Sequence, residues 1–111
     1  MSVTPAPRGG NPFDSTGIER DAQDIAHYTG MASSLVTMLF STVQRYPQAE
    51  ALVEIGGRRL TYQQLWEQAA VVAGGLRELG VRHGDRVASL LPAGVDWVLA
   101  FLGAQLAGAV I

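Results

Sequence analysis

Hydrophobic positions recur at three- and four-residue steps in the run SLVTMLFSTVQRY, which begins at Ser34. This spacing is typical of one buried face of a helix. The apolar positions are Val36, Leu39, Phe40 and Val43. Either Ser33 or Ser34 can cap the first turn, because a hydroxyl oxygen accepts a hydrogen bond from a free backbone amide. Pro47 disfavours a helical conformation for the residue before it, so the pattern predicts a helix that ends at Tyr46.

The next pattern has a period of two and predicts a β-hairpin. In EALVEI, which starts at Glu50, side chains alternate between two faces as in a strand. Gly56 and Gly57 tolerate the positive φ that a two-residue turn requires. The RRLT that follows them would return as the partner strand.

A longer amphipathic pattern, YQQLWEQAAVVAGGLREL, follows the hairpin directly. Its apolar positions step by four and three residues, which predicts a helix. They are Leu65, Ala69, Val72, Leu76 and Leu79. Thr61 and Gln64 match the capping box, in which each side chain satisfies a backbone amide of the other residue. Gly74 and Gly75 each disfavour a helix by roughly 1 kcal/mol relative to alanine, so we expect a bend or a close neighbour there. Gly80 suits the left-handed residue that closes a helix.

The last third of the chain predicts a strand, an apolar helix and the start of a second strand. VRHGD is a turn signal, with Gly84 free to adopt positive φ and Asp85 able to bond its own backbone. RVASLL, residues 86–91, is apolar almost throughout, as in a strand buried on both faces of a parallel sheet. Asp96 then precedes WVLAFLGAQLAG, where the dipole of a starting helix favours a carboxylate. AVI, residues 109–111, completes a βαβ unit whose two strands we expect to lie side by side and parallel.

The apolar run at the end of the chain has two interpretations. Residues 97–111 carry no charge, but a membrane-spanning helix needs roughly 20 apolar residues, which is more than this run provides. We therefore interpret the run as a buried helix and an interior strand of a sheet whose other strands lie outside this sequence. The predicted fold class is α/β, and residues 33–111 are predicted to be the incomplete N-terminal part of a domain.

Residues 1–32 show no sustained apolar period and are predicted to be a disordered extension. Three prolines lie among glycines and scattered charges. Residues 18–28 are the one candidate for local structure, as a short helix, and Met31 is an alternative start of the protein. The segment lacks the basic start and unbroken apolar stretch of a secretory signal, which argues against export.

Composition excludes several kinds of chemistry. All eight basic residues are arginine, so the chain has neither the lysine of a phosphate-binding P-loop nor a Schiff-base lysine. Cysteine is absent, which removes disulfides and thiolate chemistry and agrees with a reducing cytoplasm. The formal net charge of -2 gives no basic field for nucleic acid.

Three of these segments together resemble one known family, the AMP-forming adenylate enzymes. LTYQQL matches the family's first core motif, GVRHGDRV its Gly-x-x-x-Gly-Asp-x-Val turn into a strand, and QLAGAVI the first half of its second core motif. The resemblance covers residues 34–111. His83 and Ala93 depart from the pattern, where proline and asparagine are usual. Val110 and Ile111, in place of an aromatic pair, favour acyl-CoA synthetases over the adenylation domains of peptide synthetases.

The resemblance implies an AMP-dependent synthetase/ligase in the complete enzyme, such as an acyl-CoA synthetase of fatty acid metabolism. These enzymes convert ATP and a carboxylate into an acyl-adenylate and pyrophosphate, after which coenzyme A displaces AMP. The implied cofactors are ATP, Mg2+ and CoA. The family's Ser/Thr/Gly-rich phosphate loop, its metal-binding glutamate, its ribose-binding aspartate and its catalytic lysine all lie downstream of the matched motifs. We therefore expect no catalytic, cofactor-binding or metal-binding residue in these 111 residues, and no activity from them alone.

The polar residues that could be taken for a site have local explanations. His27 and His83 stand far apart without a second ligand nearby, so we expect them to be exposed to solvent and not bound to a metal. Asp85 and Asp96 serve a turn and a helix start. Capping and packing explain the remaining positions, Thr61, Tyr62, Trp66 and Trp97.

Three functional interpretations follow. The first is the N-terminal part of an AMP-forming acyl-CoA synthetase, which the remainder of the adenylate-forming domain would cover, in the same polypeptide or separately encoded. The second is a small interaction module in which a second copy of the chain covers the apolar end. The third, and least favoured, is a short membrane-anchored protein.

Overall fold

The computed structural model describes residues 14–111, which fall into two units divided between Met31 and Ala32. The first unit contains two short strands, β1 (Ile18–Arg20) and β2 (Ala26–Tyr28). The second unit contains three helices and one hairpin. In chain order they are α1 (Leu35–Arg45), β3 (Glu50–Val53), β4 (Arg59–Thr61), α2 (Tyr62–Glu78) and α3 (Val95–Leu106).

The first unit is a hairpin, where the sequence predicts disorder or a short helix over residues 18–28. β1 and β2 pair antiparallel, with Ile18 opposite Tyr28 and Arg20 opposite Ala26. The first thirteen residues of the predicted extension lie outside the described part of the chain. The placement of a domain boundary at residue 32 stays a prediction.

The loop of this hairpin is organised by one carboxylate. Asp21 Oδ1 accepts hydrogen bonds from the backbone N–H groups of Gln23 and Ile25, at 2.9 and 3.0 Å, and Asp24 takes a left-handed φ of 61°. An aspartate that binds nearby amides in this way favours a turn over a helix, which is why the helix prediction is wrong. The pKa of Asp21 is lowered, first by the bond from the Ile25 amide and then by the bond from His27.

The predicted first helix is confirmed, with Ser34 as its cap. Ser34 Oγ accepts a hydrogen bond from the Thr37 N–H at 3.1 Å, which satisfies one of the free amides of the first turn. At the other end the Tyr46 N–H donates to the Thr42 carbonyl at 2.8 Å, and the helix ends before Pro47 as expected.

The predicted hairpin of the second unit is confirmed, but its turn is longer by one residue. The Glu54 N–H donates to the Arg58 carbonyl and the Gly57 N–H to the Glu54 carbonyl, each at 2.9 Å. The loop is therefore Ile55, Gly56 and Gly57, and not the two glycines alone. Gly56 takes a left-handed φ of 71°, whereas Gly57 does not. The turn therefore requires a glycine only at its second central position, which is Gly56. Ile55, predicted as a strand residue, is fully exposed at the tip.

Both predicted ends of α2 are confirmed. Thr61 Oγ1 accepts from the Gln64 N–H at 3.2 Å, and Gln64 Oε1 accepts from the Thr61 N–H at 2.9 Å, which is a complete capping box. At the C-terminal end the Val81 N–H donates to the Leu76 carbonyl at 3.0 Å. Gly80 adopts a φ of 95°, so the helix closes in a Schellman motif.

The core of the second unit lies between α2, α3 and the hairpin β3–β4. The apolar face of α2 contributes Leu65 and Ala69 to this core. Leu79, the last apolar position of the predicted helix, is instead 84% exposed. Leu79 is the C-cap residue of α2, so its side chain leaves the helix beyond the packed turns. The buried cluster consists of Leu60, Leu65, Ala69, Val95 and Leu99.

A glycine in α3, and not the pair in α2, marks the close contact between these helices. A Cβ at Gly103 would lie 3.3 Å from the Ala69 carbonyl oxygen and even closer to the Val72 side chain. The neighbour expected at Gly74 and Gly75 is not found among residues 14–111, since nothing lies within 4 Å of a Cβ at either position. α2 also runs through both glycines without a break.

The residues that follow α3 pair in parallel with residues 84–87, which lie between α2 and α3. The βαβ pattern predicts this pairing. The Gly84 N–H donates to the Gly108 carbonyl, the Val110 N–H to the Asp85 carbonyl and the Val87 N–H to the Val110 carbonyl, each at 2.8 Å. These three bonds place the two segments side by side in one direction.

The strand predicted over residues 86–91 is present only at its start. A single parallel bridge joins Arg86 to Val110, and Leu90 is fully exposed where burial on both faces is predicted. A strand is held by hydrogen bonds to its neighbours, and within residues 14–111 no backbone hydrogen bond pairs residues 88–91 with another segment. The final strand is likewise paired on one side only in the described chain.

We predict opposite effects for two identical substitutions. Gly103→Ala lowers the free energy of unfolding by about 1–3 kcal/mol, because the new methyl group meets Val72 and the Ala69 carbonyl. Gly74→Ala raises it by up to about 1 kcal/mol, because alanine favours the helix and the space is open. Urea unfolding of both variants measures the difference, and a Gly103→Ala protein as stable as the parent would contradict the close approach.

The β1–β2 hairpin is predicted to loosen in acid. Because the folded pKa of Asp21 lies below its ordinary value of 3.8, its stabilising contribution is present above that value and is lost as the pH falls through the lowered pKa. The amide chemical shifts of Gln23 and Ile25 report the transition by NMR, and Asp21→Asn serves as a control in which it is absent. A midpoint at or above pH 3.8 would count against this assignment.

Candidate functional site

Three charged side chains of the second unit meet where the β3–β4 turn lies beside the first turn of α3. The three residues Glu54, Arg58 and Asp96 are termed the junction. The three-residue loop places Glu54 and Arg58 opposite one another at the end of the hairpin. Asp96 enters from the second residue of α3.

Glu54 caps α3 from a different element of the fold. Its Oε2 accepts a hydrogen bond from the Val95 N–H at 2.9 Å, and no side-chain cap comes from Gly94 itself. A Cβ at Gly94 would lie 2.9 Å from the same oxygen, so the missing side chain leaves room for the carboxylate. A negative charge at a helix N-terminus also interacts favourably with the helix dipole.

Arg58 joins the two carboxylates of the junction. Its Nη2 donates to Asp96 Oδ1 at 2.8 Å and lies 4.0 Å from Glu54 Oε2. The three side chains are between 37% and 68% exposed, so solvent screens their attraction and each ion pair contributes at most about 1 kcal/mol. The junction therefore joins the β3–β4 hairpin to α3.

Two shallow cavities border the junction. One has a volume of about 280 Å³ and a mixed polar and apolar lining, and the other, of about 230 Å³, is mainly apolar. Both fall below the roughly 300 Å³ at which small-molecule sites begin. The first is lined by Glu54, Arg58, Leu91, Pro92, Ala93, Gly94 and Asp96, and the second by Leu52, Val53, Glu54, Gly94, Val95 and Val98.

Two further arginines fix the ends of elements. Arg59 Nε and Nη2 donate to the two carboxylate oxygens of Glu50 at 2.7 Å each, across β3 and β4. These bonds, together with the charge of Glu50, raise the pKa of Arg59. Arg77 Nη2 donates to the Leu106 carbonyl at 2.8 Å, which satisfies a free carbonyl at the C-terminal end of α3.

The structure assigns local contacts to both histidines. His27 Nε2 lies 2.7 Å from Asp21 Oδ2 in the first unit. His83 is exposed in the turn after α2, where its ring lies against Gly108. Across residues 14–111 no group of three or more His, Asp or Glu side chains is arranged to hold a metal ion.

The expected local roles of the two aspartates are confirmed, and one contact is new. Asp85 Oδ2 accepts from the Arg82 N–H at 2.7 Å and closes the predicted turn. Asp96 lies in the first turn of α3 as expected. Its bond to Arg58 was not predicted, because the two residues are 38 positions apart and no local pattern links them.

The tryptophans lie in helix contacts. Trp66 is half-buried and packs on Phe40 of α1, with ring centroids 5.2 Å apart. Trp97 is 41% exposed and stacks on Phe101 along α3, at 5.4 Å and an interplanar angle of 10°. Trp66 thus connects α1 to α2, whereas Trp97 presents one ring face outward.

Comparison with known proteins relates both the sequence and the fold of this chain to one enzyme family. Residues 39–111 match the family described as AMP-binding enzyme. The chain is 40% identical over 74 residues to the mitochondrial medium-chain acyl-CoA ligase ACSF2 of Rattus norvegicus, a match that covers 66% of this chain and 12% of that protein. It is 42% identical over 78 residues to pyochelin synthetase PchE of Pseudomonas aeruginosa, covering 70% of this chain and 5% of that protein.

A solved structure supports the same relationship. The fatty acyl CoA synthetase of Mycobacterium tuberculosis superposes with a TM-score of 0.63 at 37% identity, over 67% of this chain and 15% of that one. The chain belongs to the AMP-binding enzyme family and corresponds to an N-terminal segment of the AMP-forming ligases. It spans only about an eighth of the rat ligase.

The membrane interpretation finds no support in the helices. Among those formed by residues 14–111, none combines the length and the apolarity needed to cross a bilayer.

We predict that the cap on α3 is the part of the junction that matters most for stability. Glu54→Ala lowers the free energy of unfolding by about 1 kcal/mol, because the Val95 amide and the helix dipole lose their partner. Asp96→Ala costs less, since that carboxylate is 68% exposed. Urea unfolding of both variants tests the order.

Glu78→Ala, on the outer surface of α2, is the matched control for loss of a surface carboxylate. We expect it to change the free energy of unfolding by no more than about 0.5 kcal/mol. Equal losses for Glu54→Ala and Glu78→Ala would show that Glu54 has no capping role.

Proposed function

We propose that residues 34–111 are the N-terminal scaffold of an ATP-dependent, AMP-forming acyl-CoA ligase. The complete enzyme would activate a carboxylate as its acyl-adenylate and then form a thioester with CoA. The observation that carries the proposal is the family match over residues 39–111. The matched residues include the two segments that pair in parallel, Gly84–Val87 and Gly108–Val110. Similarity to a medium-chain acyl-CoA ligase supports the CoA-dependent class.

The residues present do not fit the cofactors of that reaction. A triphosphate is held by a run of backbone amides with hydroxyls and a lysine, and this sequence has no lysine. The one arginine of the junction, Arg58, already binds Asp96. ATP, Mg2+ and CoA would therefore be bound by other parts of the complete enzyme, and this segment would position the sheet and helices on which those parts rest.

A second candidate function is an interaction module. Leu90 is fully exposed and Val110 is 56% exposed beside the parallel bridge, and such an edge invites a further strand. A second copy of the chain or a separately encoded remainder of the domain would cover it. We favour the ligase scaffold, because the family match accounts for the same edge without a second copy.

We place the complete enzyme in the cytoplasm and in fatty acid metabolism. The absence of cysteine supports a reducing compartment, and the similarity to a fatty acyl CoA synthetase supports an acyl substrate.

The purified 111-residue chain is predicted to show no carboxylate-dependent exchange of pyrophosphate into ATP, because residues 31–111 contain no Ser/Thr/Gly-rich phosphate loop and the sequence has no lysine. Isotope exchange with acetate, decanoate and benzoate measures this, with an intact acyl-CoA ligase as the positive control. Exchange above the level of a mock purification would contradict the proposal that the catalytic groups lie elsewhere.

A further inference from the structure

The β1–β2 hairpin is not accounted for by the ligase scaffold. The family match begins at residue 39, whereas the hairpin ends at Tyr28. Every described residue from 14 to 31 is exposed. A hairpin of two three-residue strands is only marginally stable by itself, and a third strand would add the pairing that it lacks.

The hydrogen bonds of the hairpin identify one open edge. The Thr29 N–H donates to the Gly17 carbonyl at 2.7 Å and the Asp21 N–H to the Ile25 carbonyl at 3.0 Å. Bonded and non-bonded pairs alternate in an antiparallel ladder. Ala26 and Tyr28 therefore belong to the non-bonded pairs, and their own N–H and C=O groups point away from β1.

The opposite edge is partly closed. The Ile18 N–H, which would also point outward, donates to the Ser15 carbonyl at 3.1 Å. No such bond covers the outer groups of Ala26 or Tyr28 within the described residues. An added strand would therefore pair with β2.

The two faces of the hairpin differ in chemistry. Ile18 and Tyr28 lie on one face, where they are 38% and 70% exposed, together with Ala26 and with Arg20, which is paired with Asp24. The other face carries Glu19 and Asp21 beside His27. From residue 14 to residue 31 the chain has four carboxylates and a single arginine, so the unit is acidic.

We propose that the outer edge of β2 accepts an extended segment of a partner protein as a third strand, and that this segment alternates apolar residues with lysine or arginine. The backbone of Ala26 and Tyr28 provides the pairing, as in other complexes formed by strand addition. Apolar side chains of the partner lie beside Tyr28, and its long cationic side chains lie on the other face, where they extend past His27 towards Glu19.

The test uses the full 111-residue chain, labelled with ¹⁵N, and a synthetic fluorescent probe. The probe is the peptide acetyl-Val-Lys-Val-Arg-Val-Lys-amide, and its control replaces the three cations with glutamate. We expect the basic probe to bind at least about tenfold tighter than the acidic one in fluorescence anisotropy, with weaker binding at high salt. The amide shifts of Ala26 and Tyr28 move most on binding.

Two variants separate the backbone edge from the acidic face. Ala26→Pro removes the outward N–H of β2 and lowers the affinity about tenfold or more, while Glu19→Gln lowers it a few-fold without touching the backbone. Glu78→Gln, on α2, is the matched control and leaves the affinity unchanged. The Thr29 amide shift reports whether the hairpin is intact in the Ala26→Pro variant. If the hairpin is lost in that variant, the affinity of the Glu19→Gln variant still tests the proposal.

Several outcomes would overturn the proposal. These are equal binding of both peptides, no binding of either, or shifts confined to residues 32–111. Probe-free dimerisation that moves the Ala26 and Tyr28 amides would assign the edge to a second copy of the chain. Movement of the same amides on removal of residues 1–13, without probe, would assign it to this chain's own first residues.

Discussion

The close approach of two helix backbones at Gly103 is the constraint on which the second unit depends. α2 offers Ala69 and Val72 at this point, and α3 offers a residue without a side chain. Ala69 and Ala104 are fully buried, so small residues lie at the centre of the core. A larger residue would push α3 outward and displace the chain that follows it, because packed interiors tolerate little extra volume.

The remaining polar contacts set the direction of α3 once it is packed. Glu54 binds its first amide, and Arg77 binds a carbonyl at its other end, so both termini are tied to preceding elements. Each of these bonds contributes on the order of 1 kcal/mol, which is less than the burial of Val95 and Leu99 against α2 and the hairpin provides. Packing therefore positions the helix, and the charged groups of the junction refine its orientation. The parallel pairing with the Gly84–Val87 segment follows from that placement.

Much of this fold was predictable from the sequence, because most of its elements are specified locally. The caps at Ser34 and Thr61 and the helix closure at Gly80 each join residues no more than five positions apart, and local patterns show such contacts directly. The contacts of Glu54 with Val95 and of Arg58 with Asp96 join residues about forty positions apart, and no local pattern encodes them. The hairpin of the first unit differs from the prediction for another reason: the hydrogen bonds that Asp21 accepts from the amides of its own loop outweigh a weak helical pattern. The strand over residues 86–91 was overpredicted, since its apolar sequence needs neighbouring strands before it pairs.

In this segment of the family, a well-packed helical core supports the first pairing of a parallel sheet. The most direct test of that account is amide hydrogen exchange of the full chain, followed residue by residue by NMR. The account predicts slow exchange in the middle of α2 and α3, intermediate protection at Val87 and Val110, and rapid exchange at residues 88–91. Uniformly rapid exchange across α2 and α3, or protection at residues 88–91 equal to that of the helices, would contradict it.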